Sequence, residues 1–185
     1  MLTFLNNIDK TILFFIQNNL HFKVIDKIMI LFTTMGNMGL IWIFISILLL
    51  INKKTRNIGI VSFLALFLST ILGEGVLKHI IQRPRPFVDF QSFHLLVPKP
   101  TSYSFPSGHT ASSFSAAYVL GKKLKNFSLI FWLIAILIAF SRLYLFLHYP
   151  SDIIGGIILG LICGKIALYL YEQCIEDKLS NIAIK

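Results

Sequence analysis

Long apolar runs separated by short polar turns constrain the fold of this chain more than any other feature. The first convincing run, residues 27–52, would be about 39 Å long as a helix, which is enough to cross a bilayer with some tilt. Similar runs follow at 58–81, 127–147 and 150–173, and a further helix is predicted between them at 106–124. The expected fold class is therefore all-α, a polytopic transmembrane helical bundle with about five spans.

The composition excludes an ordinary soluble domain. Of the 185 residues, 56% are hydrophobic and 14% are charged, and the mean hydropathy is +0.77. Soluble domains cover their core with roughly a quarter of charged residues, so we predict one membrane domain over residues 1–185, with the bilayer as a partner. The net charge of +9 does not indicate nucleic acid, because the basic residues form short clusters between apolar runs and no continuous face.

The two ends of the chain are predicted to lie outside the bundle of spans. Residues 1–21 form an amphipathic interfacial helix in this interpretation, which gives a six-helix core, and a sixth span is the alternative. The apolar residues of this helix follow one stripe, and Asp9 lies away from it. The bundle itself is assigned to 22–173, with a bend at 36–39, and residues 174–185 form a short polar cytoplasmic tail.

Charges at the ends of the runs predict a topology. Basic clusters at 53–56 and 122–125 are expected on the cytoplasmic side. The opposite ends carry three polar clusters, which should meet on the extracytoplasmic side. The clusters are Lys78 with Arg85, then Ser107, Gly108 and His109, then Arg142, His148 and Asp152.

The beginning of the helix at 106–124 suits an anion. Pro106 is predicted at the first helical position, where its missing N–H is harmless. The N–H groups of Ser107, Gly108 and His109 would then be unpaired and point at whatever lies before the helix. Gly108 permits close approach, and the Ser107 hydroxyl adds a donor. Such a helix N-terminus is an anion cradle.

Three cations complement this cradle. Lys78, Arg85 and Arg142 supply fixed charge and many donors, which match the oxygens of a phosphoryl group better than a carboxylate. Arg142 lies about two helical turns before His148, too deep for a cation without a partner. Glu74 stands one turn before Lys78 and is predicted to pair with it or with Arg142; a buried carboxylate tied to a neighbouring span is the alternative.

Two histidines and an aspartate provide reactive groups. His148 and Asp152 are four residues apart across Pro150. In a tight turn the carboxylate fixes the imidazole tautomer and leaves the other nitrogen free to attack. His109 is then available to protonate the leaving oxygen. A protein that only binds or transports a lipid headgroup needs the cations but neither histidine, so we predict an enzyme and keep headgroup binding or transport as the alternative.

Taken in order, these residues resemble the type 2 phosphatidic acid phosphatase superfamily of integral membrane lipid phosphatases. The match covers residues 78–152 directly, and the span pattern extends it over 22–173. Its three signatures are Lys78 separated by six residues from Arg85-Pro86, then Pro106-Ser107-Gly108-His109, then Ser141-Arg142 separated by five residues from His148 and by three more from Asp152.

The resemblance implies a role for each residue. It implies a phosphohistidine intermediate on His148, orientation of that ring by Asp152, and general-acid catalysis by His109. It also implies phosphate binding by Lys78, Arg85, Ser107, Gly108 and Arg142. No metal or cofactor is implied, and the sequence has no carboxylate-rich cage for one. The signatures are also similar to those of vanadate-dependent haloperoxidases, but those are soluble proteins and fit this chain poorly.

Within the superfamily, the chain looks most like bacterial undecaprenyl diphosphate phosphatases, by its size, its outward site and Val24-Ile25-Asp26 before the first span. This predicts hydrolysis of undecaprenyl diphosphate to undecaprenyl phosphate by a multi-pass protein of the bacterial cytoplasmic (inner) membrane, with its active site facing outside. Phosphatidylglycerol phosphate, phosphatidate and lipid A are the alternative substrates, because no signature reads the loop at 87–105 or the groove between spans. Transfer to another lipid is the alternative to hydrolysis, and the oligomeric state is left open.

Overall fold

The computed structural model describes residues 2–90, 93 and 95–183, with side chains for 6–90, 93 and 95–174. Every regular element in these residues is helical, which confirms the all-α fold class. The helices are α1 (Leu2–Asn19), α2 (Lys23–Gly36), α3 (Leu40–Ile51), α4 (Arg56–Thr70), α5 (Lys78–Ile81), α6 (Pro86–Asp89), α7 (Gly108–Lys123), α8 (Ser128–Tyr144) and α9 (Pro150–Ala183).

Four helical segments among the described residues are long and apolar enough to cross a membrane. They are Lys23–Ile51, Arg56–Asp89, Lys125–Tyr144 and Pro150–Cys174. The further helix predicted at 106–124 is α7, which has 16 residues and lies in the middle of the bundle, packed against α4, α8 and α9; that it forms a fifth span stays a prediction. Since its neighbours enclose it, α7 needs no apolar surface toward lipid and can carry serines.

Glycines hold α9 close to α7. Gly156, Gly160 and Gly164 recur every four residues, a spacing that predicts a close-packing seam, and the structure confirms it. A Cβ added to Gly160 would lie 2.5 Å from the Ala111 carbonyl oxygen, and one added to Gly164 would lie 2.9 Å from that of Ser115. The two backbones therefore approach too closely for side chains, which fixes the position of α7 beside α9.

The first span bends where the sequence predicted. A 3-10 turn at Asn37–Gly39 separates α2 from α3. Within it, Met38 and Gly39 have φ angles of 51° and 71°. These left-handed conformations interrupt the helix and turn Asn37 toward the beginning of α7.

The second span contains a feature that the sequence did not predict. Between α4 and α5 the chain is π-helical over Ile71–Leu77. Such segments insert an extra residue into a helical turn and are frequent at functional sites. Glu74 lies in this segment and Lys78 directly follows it, so the π-helical turn sets the direction of both side chains.

Helices α1 and α9 occupy the two ends of the described chain. α1 packs against α8 and α9, and its Asp9, predicted to lie away from the apolar stripe, is only 3% exposed. The interfacial position of α1 stays a prediction. α9 continues to Ala183, so the predicted tail at 174–185 begins as helix. Gln91 and His94 of the predicted long loop lie outside the described residues.

Candidate active site

Helix ends from distant parts of the chain meet around one cavity. Its volume is about 800 Å³, and the three predicted polar clusters converge on it. The predicted residues that line it are Glu74, Lys78, Arg85, Gly108, His109, Arg142 and His148. The other two, Ser107 and Asp152, are fully buried and support this lining from inside the protein.

His148 and Asp152 form a close pair. Pro150 is the first residue of α9, and the imidazole Nδ1 lies 3.5 Å from Asp152 Oδ2. The same oxygen accepts hydrogen bonds from the Tyr149 N–H at 2.8 Å and from the Ser104 hydroxyl at 2.5 Å. Ser104 was not predicted as a site residue. Together these donors fix the carboxylate that faces the imidazole.

The other imidazole nitrogen faces the cations. Nε2 of His148 lies 3.0 Å from Arg85 Nη1. Burial, followed by the charges of Arg85, Arg142 and Lys78, holds the pKa of His148 well below its ordinary value. A lowered pKa favours the neutral form of this imidazole. The Ser104 hydroxyl, which donates to Asp152, lies 3.3 Å from Nδ1 and can accept its hydrogen. With Nδ1–H directed to Ser104 and Asp152, the lone pair is on Nε2, which is the form that a nucleophile requires.

Ser102 and Tyr103, in the loop before α7, hold Arg85 and Lys78 in place. Arg85 donates to the carbonyl groups of Ser102 at 2.7 Å, Tyr103 at 3.2 Å and Leu147 at 3.0 Å. Lys78 Nζ donates to the Ser102 hydroxyl at 3.0 Å. Both cations are almost completely buried. Their charges therefore act in a low dielectric, where they attract an anion strongly.

Arg142 retains an unused donor. One guanidinium nitrogen donates to the Thr33 hydroxyl, whereas the buried Nε has no hydrogen-bond partner among the described residues. An unpaired buried donor is unfavourable by about 1–3 kcal/mol. Because Arg142 lines the cavity, this donor indicates a ligand that accepts from it, as the predicted phosphate site requires.

The beginning of α7 corrects two predictions. Gly108 is its first residue and Ser107 is its N-cap, so Pro106 precedes the cap and does not occupy the first helical position. The Ser107 N–H is not unpaired as predicted, because it donates to the Asp152 carbonyl oxygen at 3.1 Å. The N–H groups of Gly108 and His109 have no acceptor within the helix, so the cradle is smaller than predicted.

Glu74 lies at the mouth of this cradle. Its Oε1 is 2.8 Å from Lys78 Nζ, which identifies Lys78 and not Arg142 as its partner. A Cβ added to Gly108 would lie 2.2 Å from the same oxygen. The side chain is 43% exposed and ends in a flexible carboxylate. Glu74 therefore occupies the path by which an anionic group would approach α7.

His109 faces the same cavity as His148. Its Nε2 is 2.9 Å from Asn37 Oδ1, in the bend between α2 and α3. Asn37 was not predicted as a site residue, and only the folded chain brings it to His109. The bend therefore orients the imidazole that is predicted to act as the general acid.

The described side chains offer no metal site, since no group of three or more His, Cys, Asp or Glu residues converges among them. The buried charges that line the cavity are predominantly positive, and such charges repel a metal cation. Catalysis without a metal stays a prediction.

Residues 59–176 match the family model described as PAP2 superfamily. An undecaprenyl-diphosphatase from Sulfolobus acidocaldarius is 40% identical over 121 residues, which cover 65% of this chain and 58% of that protein. This chain therefore spans less than two thirds of that relative's length.

Two crystal structures are similar over most of the bundle. That of Aquifex aeolicus LpxE has a TM-score of 0.74 and 33% identity, covering 86% of this chain and 93% of that chain. That of a transmembrane PAP2 type phosphatidylglycerolphosphate phosphatase from Bacillus subtilis has a TM-score of 0.73 and 28% identity, covering 91% and 86% of the two chains. The similarity thus extends beyond the residues that the family model matches.

Proposed function

This chain belongs to the PAP2 superfamily, and from that premise we propose that it is a membrane lipid phosphatase that acts through a phosphohistidine on His148. One observation carries the proposal. Nε2 of His148 is 3.0 Å from Arg85 in the cation-lined cavity, while its Nδ1 is turned toward Asp152. A protein that only bound or transported a headgroup would need the cations but no histidine oriented in this way.

The proposed reaction has two steps. The Nε2 lone pair of His148 attacks phosphorus, the bond to the leaving oxygen breaks, and His109 gives that oxygen a proton. Asp152 compensates the positive charge that the bonded ring acquires. Water then attacks phosphorus and gives a proton to His109. This attack breaks the bond between phosphorus and Nε2 of His148 and releases inorganic phosphate. The three buried cations stabilise the charge on the phosphoryl oxygens in both steps.

A lipid substrate is supported by the apolar part of the cavity. Ile43 of α3 and Phe63, Leu66 and Phe67 of α4 continue the lining beyond the polar residues. A headgroup can therefore reach His148 while its chain stays among apolar side chains.

Undecaprenyl diphosphate is the favoured substrate, supported by the undecaprenyl-diphosphatase from Sulfolobus acidocaldarius. Phosphatidylglycerol phosphate is the second candidate, supported by the phosphatase structure from Bacillus subtilis. Phosphatidate and lipid A complete the panel to be tested, and each differs from the others in the group that leaves and in the apolar chain.

The active site is proposed to face outside the bacterial cytoplasmic membrane, within one membrane domain. α4 runs from Arg56 toward the cavity, and α7 runs from the cavity to Lys123. The basic clusters at 53–56 and 122–125 therefore lie at the ends of these helices away from the cavity. Clusters of this kind remain cytoplasmic.

Phosphate release by purified protein in mixed micelles tests the function. Each of the four lipids is offered to the wild type, to His148→Ala and to His79→Ala, the last a control on an exposed histidine near the site. We expect His148→Ala to release no phosphate while still binding the lipid, and His79→Ala to keep the wild-type rate. Full activity of His148→Ala would refute the mechanism.

Substrates with different leaving groups distinguish the proposed role of His109 from that of His148. His109→Gln should slow hydrolysis of the lipid substrate by about 10²–10⁴-fold. It should slow the first-turnover release of nitrophenolate from p-nitrophenyl phosphate much less, because nitrophenolate departs without a proton and before the water attack that His109 also assists. His148→Ala should abolish both reactions. An equal loss in the first turnover of both substrates in His109→Gln contradicts the general-acid role.

A further inference from the structure

A buried carboxylate on α1 reaches the rear of the proposed catalytic pair. Asp9 is 3% exposed. Its Oδ1 accepts from the Ser151 N–H at 2.9 Å, and its Oδ2 accepts from Arg83 Nη2 at 2.7 Å. Burial of a carboxylate is unfavourable unless it is paired and hydrogen-bonded. These contacts therefore explain why α1 docks against the beginning of α9.

Arg83 connects this carboxylate to Asp152. Its Nη1 donates to Asp152 Oδ1 at 2.7 Å, whereas Oδ2 is the oxygen that faces His148. The guanidinium carbon also lies 4.2 Å from the centre of the Tyr149 ring. One planar cation is thus held between a carboxylate of α1 and the carboxylate of the catalytic pair.

The charges of Asp9, Arg83 and Asp152 do not cancel. Two carboxylates share one guanidinium, so the three groups together keep one negative charge. If Arg83 were paired with Asp152 alone, the pair would be neutral. That pair would then have no net negative charge to compensate the His148 ring when Nε2 bonds to phosphorus. Because dielectric screening is weak at buried positions, the charge on Asp9 is felt at the catalytic pair.

We propose that Asp9 is a positioning residue for the phosphatase reaction, which acts through Arg83 on Asp152 and makes α1 part of the catalytic apparatus. The inference rests on the proposed function. It assigns to Asp9 an effect on turnover and none on substrate binding, since Asp9 does not line the cavity.

The alternative role for Asp9 is a mechanical one, in which it only fastens α1 to α9. Ser151 separates the two roles, because its hydroxyl donates to Asp9 and accepts from Arg83 without carrying charge. Ser151→Ala weakens the attachment of α1 and leaves the three charges in place. Asp9→Asn removes one charge and keeps the size of the side chain.

The experiment measures kcat and KM for phosphate release by the full chain in micelles, with variants Asp9→Asn, Arg83→Gln, Ser151→Ala and the Asp9→Asn, Arg83→Gln double variant. Outer partners of metal-ligating histidines carry roughly ten- to a hundredfold in affinity or activity, and we take the lower end of that range for a partner of the His148 and Asp152 pair. We expect Asp9→Asn to lose at least tenfold in kcat with KM within twofold of wild type, and Ser151→Ala to stay within twofold in both. Asp26→Asn is the matched control, since its carboxylate binds Tyr144 and His21 away from the cavity.

The double variant decides between charge and attachment. Removing both Asp9 and Arg83 charges restores one negative charge on Asp152, so its kcat should exceed that of Asp9→Asn by at least threefold. A double variant no faster than Asp9→Asn, or Asp9→Asn with kcat within twofold of wild type, overturns the proposal. If Asp9→Asn aggregates, the double variant alone is compared with wild type. A folded double variant with less than a tenth of the wild-type kcat then overturns the proposal, because Asp152 keeps its negative charge in that variant. Wild type that hydrolyses no lipid overturns the proposed function and this inference together.

Discussion

Replacing Gly108 with alanine tests the anion cradle directly. Gly108 is the first residue of α7, where alanine suits the backbone and gains at most about 1 kcal/mol over glycine. The added Cβ would lie 2.2 Å from Glu74 Oε1 and 3.2 Å from its Cδ. The carboxylate must therefore retreat by roughly 1 Å to regain van der Waals distance.

The effect on stability should be small and the effect on activity large. The ion pair of Glu74 with Lys78 is partly exposed, and such pairs contribute about 0–1 kcal/mol. The free energy of unfolding should therefore change by less than about 1 kcal/mol. The new methyl group, however, occupies space that a phosphoryl oxygen needs to reach the N–H groups of Gly108 and His109. A misplacement of about 1 Å can lower activity about 100-fold, and we expect kcat/KM to fall by this factor.

The assay combines phosphate release, inhibition by vanadate as a phosphate analogue, and thermal unfolding in micelles. Gly75→Ala is the matched control, because a Cβ at Gly75 meets no atom within 4 Å. Gly108→Ala should lose activity and vanadate inhibition together while its Tm stays within about 5 °C of wild type. Wild-type kcat/KM would refute the cradle, and a larger fall in Tm would assign the loss to folding.

Four further outcomes are expected. Since the pKa of His148 is lowered and only the neutral ring can attack, the acid limb of kcat/KM should be centred below about pH 6.5, while the alkaline limb follows the loss of the His109 proton; an acid limb centred above about pH 6.5 contradicts this. EDTA should leave turnover unchanged, and a strict need for magnesium contradicts the metal-free reaction. Glu74→Gln should strengthen inhibition by inorganic phosphate severalfold, because a negative charge leaves the cradle; weaker inhibition contradicts its position there. In intact cells an impermeant maleimide should label Leu96→Cys in a Cys174→Ser background, whereas Cys174 of the wild type should react only after lysis; the reverse pattern overturns the orientation.

The parts of the molecule that follow from local rules could be predicted from the sequence. The bend at 36–39 includes Gly39, which accepts the left-handed conformation, and the seam of Gly156, Gly160 and Gly164 follows from a fixed spacing on one helix face. The convergence of Lys78 with Arg142 follows from the alternation of span directions. Each of these three predictions needs only residues that are close in sequence or the order of the helices along the chain.

The errors arose where two rules competed or where a partner is distant in sequence. At the beginning of α7 the preference of proline for the first helical position lost to the preference of Ser107 for the N-cap. Asp9 was assigned to the polar side of α1 because its partners are 74 and 142 residues away. Ser104 and Asn37 were overlooked for the same reason, since their contacts span 48 and 72 residues.

The π-helical segment at Ile71–Leu77 makes chain length a functional variable. Each residue of an α-helix turns the chain by about 100°, and a π turn holds one residue more than an α turn. The part of the span after the segment is therefore rotated, relative to the part before it, from the direction that an uninterrupted α-helix would give. Loss of a single residue here would restore a regular α-helix and leave Lys78 directed toward the site, whereas an α-helix of unchanged length would rotate Lys78 by about 100° away from Arg85, although every residue of the site would still be present.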